Sequence, residues 1–204
     1  VPAYDWYHGC SPTAAGMLMG YWDLRGYVDL FDAAGWDDIR LTANVQDQIS
    51  SPAHNARYDH VDDADVAVPS PVSIAGFMGT SVDPLPHGGT RLGDIPLGQE
   101  DYAAQRGYDF ASRAVHAPDW EVFVAEIDAG RPVHMIVDHD GDGWLDHSVA
   151  GIGYDDRGPD GRWYACYTTW SESETPRWYE FRVIAAGTPW GVSDLVTFEP
   201  EASG

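Results

Sequence analysis

Apolar residues recur at helical spacing in two parts of the chain. After Ser11 and Pro12, residues Ala14, Met17, Leu18 and Tyr21 stand at offsets of 0, 3, 4 and 7, which places them on one face of a helix. Ser11 suits the N-cap of that helix and Pro12 its first position, so the stretch from Cys10 to Leu30 is expected to open as a helix. Trp120, Phe123, Val124 and Ile127 repeat the same offsets in a second helix running from an Asp119 N-cap to Gly130. A shorter helix is expected over Glu100 to Arg106, closed by Gly107.

Toward the C-terminus the pattern changes. Pro132 to Val137, His147 to Tyr154, Arg162 to Trp170, Arg177 to Ile184 and Leu195 to Phe198 are rich in β-branched and aromatic residues and separated by Gly, Asp and Pro, so they read as strands. Residues 44–98 lack periodicity and are rich in Pro, Gly, Asp and Ser, which predicts loops and short strands. Helices first and strands later, with hairpin-length gaps, predict an α+β fold with an antiparallel sheet. One domain is expected over 1–204, with a helical lobe about 1–44, a loop-rich middle 44–98, and a helix and sheet lobe 99–204.

Composition narrows the function. The 204 residues are 44 % apolar and 22 % charged, enough apolar material to fold around a core. The formal net charge is -22, from 33 acidic and 11 basic residues, and every basic residue is Arg. Such a field repels phosphate backbones and anionic lipid surfaces, which excludes nucleic acid as a partner. No apolar run approaches the roughly 18 residues of a membrane span. The acidity suits solubility in a salty exterior, so a secreted, monomeric protein is expected. The chain starts at Val1 with no signal-peptide pattern, as expected of a processed or trimmed form. Two cysteines, Cys10 and Cys166, are too few for a disulfide framework. They leave open a single bridge between them or core burial of Cys166.

Three features carry chemistry. Cys10 directly precedes a predicted helix start, where unpaired N–H groups and the helix dipole favour a thiolate and point toward a developing oxyanion. The alternative is a small buried apolar residue. Between two predicted strands, Asp138, Asp140, Asp142, Gly143 and Asp146 spell DxDxDGxxD. Alternating carboxylates converge on one cation there, Gly143 makes the turn, and the Trp144 carbonyl adds a ligand. Val149 stands where an EF-hand has its bidentate Glu, so the expectation is a hairpin loop binding structural Ca2+, against the alternative of a solvated acidic hairpin tip. No organic cofactor is expected. His147 follows this loop and opens a strand of small residues. Seven other histidines compete with it, among them His60 in the acidic patch DHVDDAD, which lacks ordered ligand spacing.

Taken together, the helix opened by GCSPTAA, the later HSVAGIGYDD strand and WYACYTTW resemble the papain-like cysteine peptidase plan. WYHGCSPTAAGMLMGYWD and AEIDAGRPV are most similar to its bacterial double-glycine-peptidase-like branch. The resemblance implies an N-terminal helix carrying the Cys packed on a twisted antiparallel sheet. It makes Cys10 the nucleophile and His147 the general base, acting on a peptide or protein substrate. At the position of the orienting Asn or Asp this chain has Thr168, whose hydroxyl would accept the imidazole Nδ1–H. Where the family places an oxyanion Gln, it has Tyr4 and Asp5. An ionised Asp5 would oppose the oxyanion, leaving the helix-end N–H groups at Cys10 with the Tyr4 hydroxyl as helper. The implied function is a secreted bacterial cysteine peptidase. The alternative is an inactive, calcium-stabilised extracellular binding module on the same fold.

Overall fold

The helix expected after Ser11 forms as α1 (Cys10–Asp23) in a computed structural model that describes residues 1–33, 35–40, 42–60, 67–82, 85 and 87–201. It is buried all round, with only Cys10 and Trp22 keeping partial exposure, so it is a central helix rather than an amphipathic surface one. Two glycines permit that depth. A Cβ on Gly16 would lie 2.8 Å from Ile49 Cγ1, and one on Gly20 would lie 2.7 Å from the Tyr4 hydroxyl. The N-cap is Gly9, not Ser11, and no side chain caps it. Ser11 turns its hydroxyl away to Ser148, 2.9 Å distant.

Residues 44–98 hold short helices in place of the expected strands. After α2 (Trp36–Ile39) come α3 (Ala43–Ile49), α4 (Pro52–Asp59) and α5 (Ile74–Phe77), and among the described residues of this stretch no strand occurs. Thr42, Ser51 and Ser73 cap the last three by accepting from Val45, His54 and Gly76 N–H, and Pro52 follows its cap as Pro prefers. These helices are too short for a period to show. His60 is exposed, Asp59 ends α4, and residues 61–65 of its acidic patch lie outside the described residues. Helix α6 (Asp94–Gln105) starts upstream of the expected Glu100, and Pro96 is tolerated in its first turn.

The sheet has six antiparallel strands among the described residues, in the order β1-β6-β2-β3-β4-β5. They are β1 (Phe110–His116), β2 (Val133–Asp138), β3 (His147–Asp156), β4 (Arg162–Tyr167), β5 (Arg177–Glu180) and β6 (Gly191–Pro200). Strand β1, unexpected from sequence, pairs with β6 from Phe110↔Pro200 to His116↔Asp194. Helix α7 (Trp120–Asp128) forms as expected, with Asp119 accepting from Glu121 and Val122 N–H.

Alternation along the strands separates two apolar layers. Ile136, Ala150, Val196 and Phe198 cluster with Met17 and Leu18 of α1. Val133, Met135, Val149, Cys166 and Leu195 cluster with Trp120 and Phe123 of α7. The α+β class with helices on an antiparallel sheet is therefore present, and the head of α1 lies against the start of β3.

Candidate active site

Cys10 sits at the head of α1 because the chain turns sharply there, with His8 at φ +53° and Gly9 at φ +152°. The turn is stapled from two sides. Thr13 donates its hydroxyl to Gly9 O at 2.7 Å and accepts from Tyr7 N–H at 3.1 Å. Opposite, the backbone of Gly88 comes so close that a Cβ there would lie 3.1 Å from Gly9 Cα. The Gly88 N–H donates to Ser81 Oγ at 2.8 Å, which holds that loop against the turn.

Cys10 keeps some exposed surface, but its sulfur is enclosed by protein atoms. Burial pushes the thiol up, and the backbone and side-chain hydrogen bonds from Ser148 and Ser11 only partly offset this. Burial thus works against the thiolate that the helix position favours, because desolvation is the largest influence on the sulfur.

His147 opens β3 with a buried ring stacked on Trp170, centroids 4.0 Å apart at 21°. Its Nε2 lies 2.7 Å from the Thr168 carbonyl. A carbonyl can only accept, so Nε2 carries the proton and Nδ1 presents its lone pair. Burial pushes the imidazole down to about 4, against the raising effects of the Thr168 contact and Asp146, while His139 lowers it further. The Thr168 contact to the ring is therefore made by its main-chain oxygen at Nε2, not by a hydroxyl at Nδ1. Asp146 accepts from His139 N–H at 3.0 Å and approaches His139 Nδ1 at 2.5 Å.

Cys10 and His147 line one cavity of about 400 Å³, together with Trp6, Ser11, Gly88 and Ser148. Tyr4 and Asp5 are not part of it. Tyr4 is buried beneath α1 with its hydroxyl on Ile39 O at 2.5 Å, and Asp5 accepts from Trp6 N–H at 2.9 Å on the exposed side. Tyr4, the expected oxyanion helper, is thus away from the cavity, and Trp6 lines it instead. No side chain caps the start of α1, where Cys10 stands, so the first-turn N–H groups have no side-chain cap. Cys166 lies in the layer on the α7 side of the sheet, and both cysteines are free.

In the acidic loop, ligand atoms of Asp138, Asp140 and Asp142 lie within 4.8 Å of one another. Asp138 is fully buried and accepts from Gly141 N–H at 2.7 Å and Gly143 N–H at 2.6 Å. Burial raises its carboxyl, but the N–H groups of Gly143, Gly141 and Asp142 with the Asp140 side chain bring it below the ordinary range. Asp142 accepts from Trp144 N–H at 2.8 Å, and the Trp144 side chain points to solvent. Asp146 belongs to a separate, overlapping group with His139 and Asp140. The loop is pinned to the following segment, with Gly187 N–H on Gly141 O at 2.7 Å and Trp190 N–H on Asp138 O at 2.6 Å.

Sequence reasoning missed Ser11, Ser148, Thr169 and Trp170 as parts of this site. Only Trp170 carried a signal, a bulky aromatic directly after the paired threonines. No curated protein matches the chain. The model of the Peptidase_C39 like family matches residues 1–188, a span that holds Cys10, His147 and Thr168 alike. The chain belongs to that family, the C39 branch of the papain-like cysteine peptidases.

Proposed function

We propose that this protein is a secreted, papain-like cysteine peptidase that hydrolyses peptide bonds with Cys10 as nucleophile and His147 as general base. The observation that carries the reading is the shared cavity: a cysteine at a helix head and a histidine at a strand head face the same space, and their following residues are hydrogen-bonded to each other.

The chemistry follows from the protonation states. With Nε2–H held by the Thr168 carbonyl, His147 Nδ1 takes the proton of the Cys10 thiol as sulfur attacks the substrate carbonyl carbon. The Cys10 N–H meets the oxyanion that forms. As the tetrahedral species collapses, the imidazolium returns its proton to the leaving amine, and the acyl group remains as a thioester. Neutral His147 then takes a proton from water, hydroxide adds to the thioester, and the acid product leaves as the thiol regains its proton.

The pair reacts from its neutral form because both groups are buried. Alkylation of Cys10 by iodoacetamide tests this. The rate should climb with pH into the alkaline range and fall in His147→Ala, while Cys10→Ala should remove hydrolysis altogether. Hydrolysis that survives Cys10→Ala would end the reading. The second reading, an inactive binding module, draws on the neutral orienting carbonyl, since among the described residues no carboxylate is hydrogen-bonded to the His147 ring. An inert Cys10 that alkylates only on unfolding would favour it.

Calcium belongs to the proposal as a structural ion. Asp138, Asp140 and Asp142 would hold it, hard oxygens suiting a hard cation, and three carboxylates in a chain of net charge -22 gain most from a divalent counter-charge. Asp146, engaged with His139, is not counted among the ligands.

A further inference from the structure

Thr169 has an unusual backbone. Its φ is +61°, and among the described residues it is the sole β-branched one in the left-handed region. Branching at Cβ makes that conformation costly, and such residues persist where their surroundings over-determine them. Thr169 is fully buried. Its hydroxyl lies 2.6 Å from its neighbour's carbonyl, Thr168 O, 3.3 Å from Ser148 O and 3.3 Å from His147 Nε2.

A hydroxyl has one proton to give, and the nearest acceptor is Thr168 O. That oxygen therefore uses both lone pairs, one toward the Thr169 hydroxyl and one toward His147 Nε2–H. The left-handed turn at Thr169 is what takes the chain off β4 and directs the preceding carbonyl at the ring. The next residue, Trp170, covers the ring face, and its bridge to Asp5 ties the turn to the segment before the nucleophile.

We infer that Thr169 is the positioning residue of this site: its left-handed backbone aims the Thr168 carbonyl at His147 Nε2, and its buried hydroxyl locks that carbonyl in place. A main-chain oxygen then does for the imidazole what a side-chain amide or carboxylate would otherwise do, fixing the Nε2–H tautomer and leaving Nδ1 for the Cys10 thiol. The inference rests on the Cys10 and His147 pairing proposed above.

The test uses Thr169→Ser, which keeps the hydroxyl, Thr169→Val, which removes it, and Thr169→Gly, which removes it while relieving the backbone. Histidine-labelled protein read by 15N NMR near pH 7 reports the tautomer directly and needs no turnover. The parent and Thr169→Ser should hold His147 in the Nε2–H form, whereas Val and Gly should show a mixture with Nδ1–H. With a fluorogenic peptide, kcat should fall about tenfold or more in Val and Gly at unchanged KM, and Ser should restore it to within about threefold. If Val does not fold, Gly carries the comparison, and the melting temperature of each variant identifies that case. A parent-like tautomer in both Val and Gly overturns the inference whatever the rates are. A loss in Ser as deep as that in Val also overturns it. Should the parent hydrolyse nothing, a tautomer that follows the hydroxyl upholds the positioning role while the peptidase reading falls.

Discussion

Ser11 Oγ lies 2.9 Å from Ser148 Oγ, so the residue after the cysteine is bonded to the residue after the histidine. The two catalytic candidates come from distant parts of the chain, and this clasp sets their separation where α1 meets β3. Both serines are buried, so their hydroxyls have little water to turn to. Ser11→Ala and Ser148→Ala should each lower kcat/KM by about threefold to tenfold, the worth of one buried hydrogen bond. The double variant should be little worse than the poorer single, because both remove the same contact. Full activity in both singles would show that the clasp positions nothing.

Thr168 meets His147 through its carbonyl, which every residue type other than proline can present without altering the backbone donors. Thr168→Val should therefore keep kcat within about twofold. Thr168→Asp should bring no gain, since the Nε2–H is already engaged. A tenfold loss in Thr168→Val, measured beside Thr169→Val in the same assay, would return the orienting role to the Thr168 hydroxyl.

Calcium at 100 times its dissociation constant should add about 2.7 kcal/mol to stability. In a chain of this size that raises Tm by roughly 5 to 10 °C. Magnesium at matched ionic strength should do much less, because it demands a tighter octahedral shell. Melting curves in EDTA, calcium and magnesium check this, with Asp140→Asn expected to abolish the calcium response. Identical Tm in all three solutions would identify the loop as an acidic hairpin tip stabilised by its own backbone.

Three buried imidazoles, those of His54, His134 and His147, make the fold sensitive to acid. Burial pushes His134 down to about 3 and His147 to about 4, against about 6.5 in an unfolded chain. Below that value the unfolded chain binds more protons than the native one, so stability is complete above pH 6.5 and falls as pH drops toward 3. For His134 alone the loss between pH 7 and pH 4 is on the order of 3 kcal/mol. Protonating carboxylates relieves the -22 charge and acts in the opposite direction, so the comparison must be with a variant. His134→Met should be less acid-labile than the parent in urea titrations at pH 7 and pH 4. Equal losses in the two proteins would show that His134 is already protonated in the native state.

Local chemistry made parts of this protein legible in its sequence. The apolar offsets that build α1 and α7 depend on residues within a few turns of one another, so the helices appear where the periodicity puts them. Cys10 at a helix start and His147 opening a strand are features written in neighbouring residues, and the resemblance to a family singled the two out as candidates. The DxDxDG spacing likewise brings Asp138, Asp140 and Asp142 together through turns that span only a few peptide bonds.

Contacts between distant segments decided the rest. Strand β1 alternates poorly and holds an Arg and a His, and it becomes a strand because β6 supplies its hydrogen-bond partners. The helices of the middle region were recognisable only from caps such as Ser51 and Pro52, since their apolar residues are too few to show a period. The state of the Cys10 thiol depends on how deeply Ser148 and the sheet bury it, a quantity no local pattern encodes. Tyr4 lies under α1 on the Ile39 carbonyl and Asp5 faces solvent, where it bridges to Trp170, and both placements depend on segments distant in sequence. Thr168 could not be read correctly from its side chain, because the group that meets His147 is a carbonyl common to all residues. Sequence names side chains, whereas only the tertiary path decides where a main-chain oxygen points.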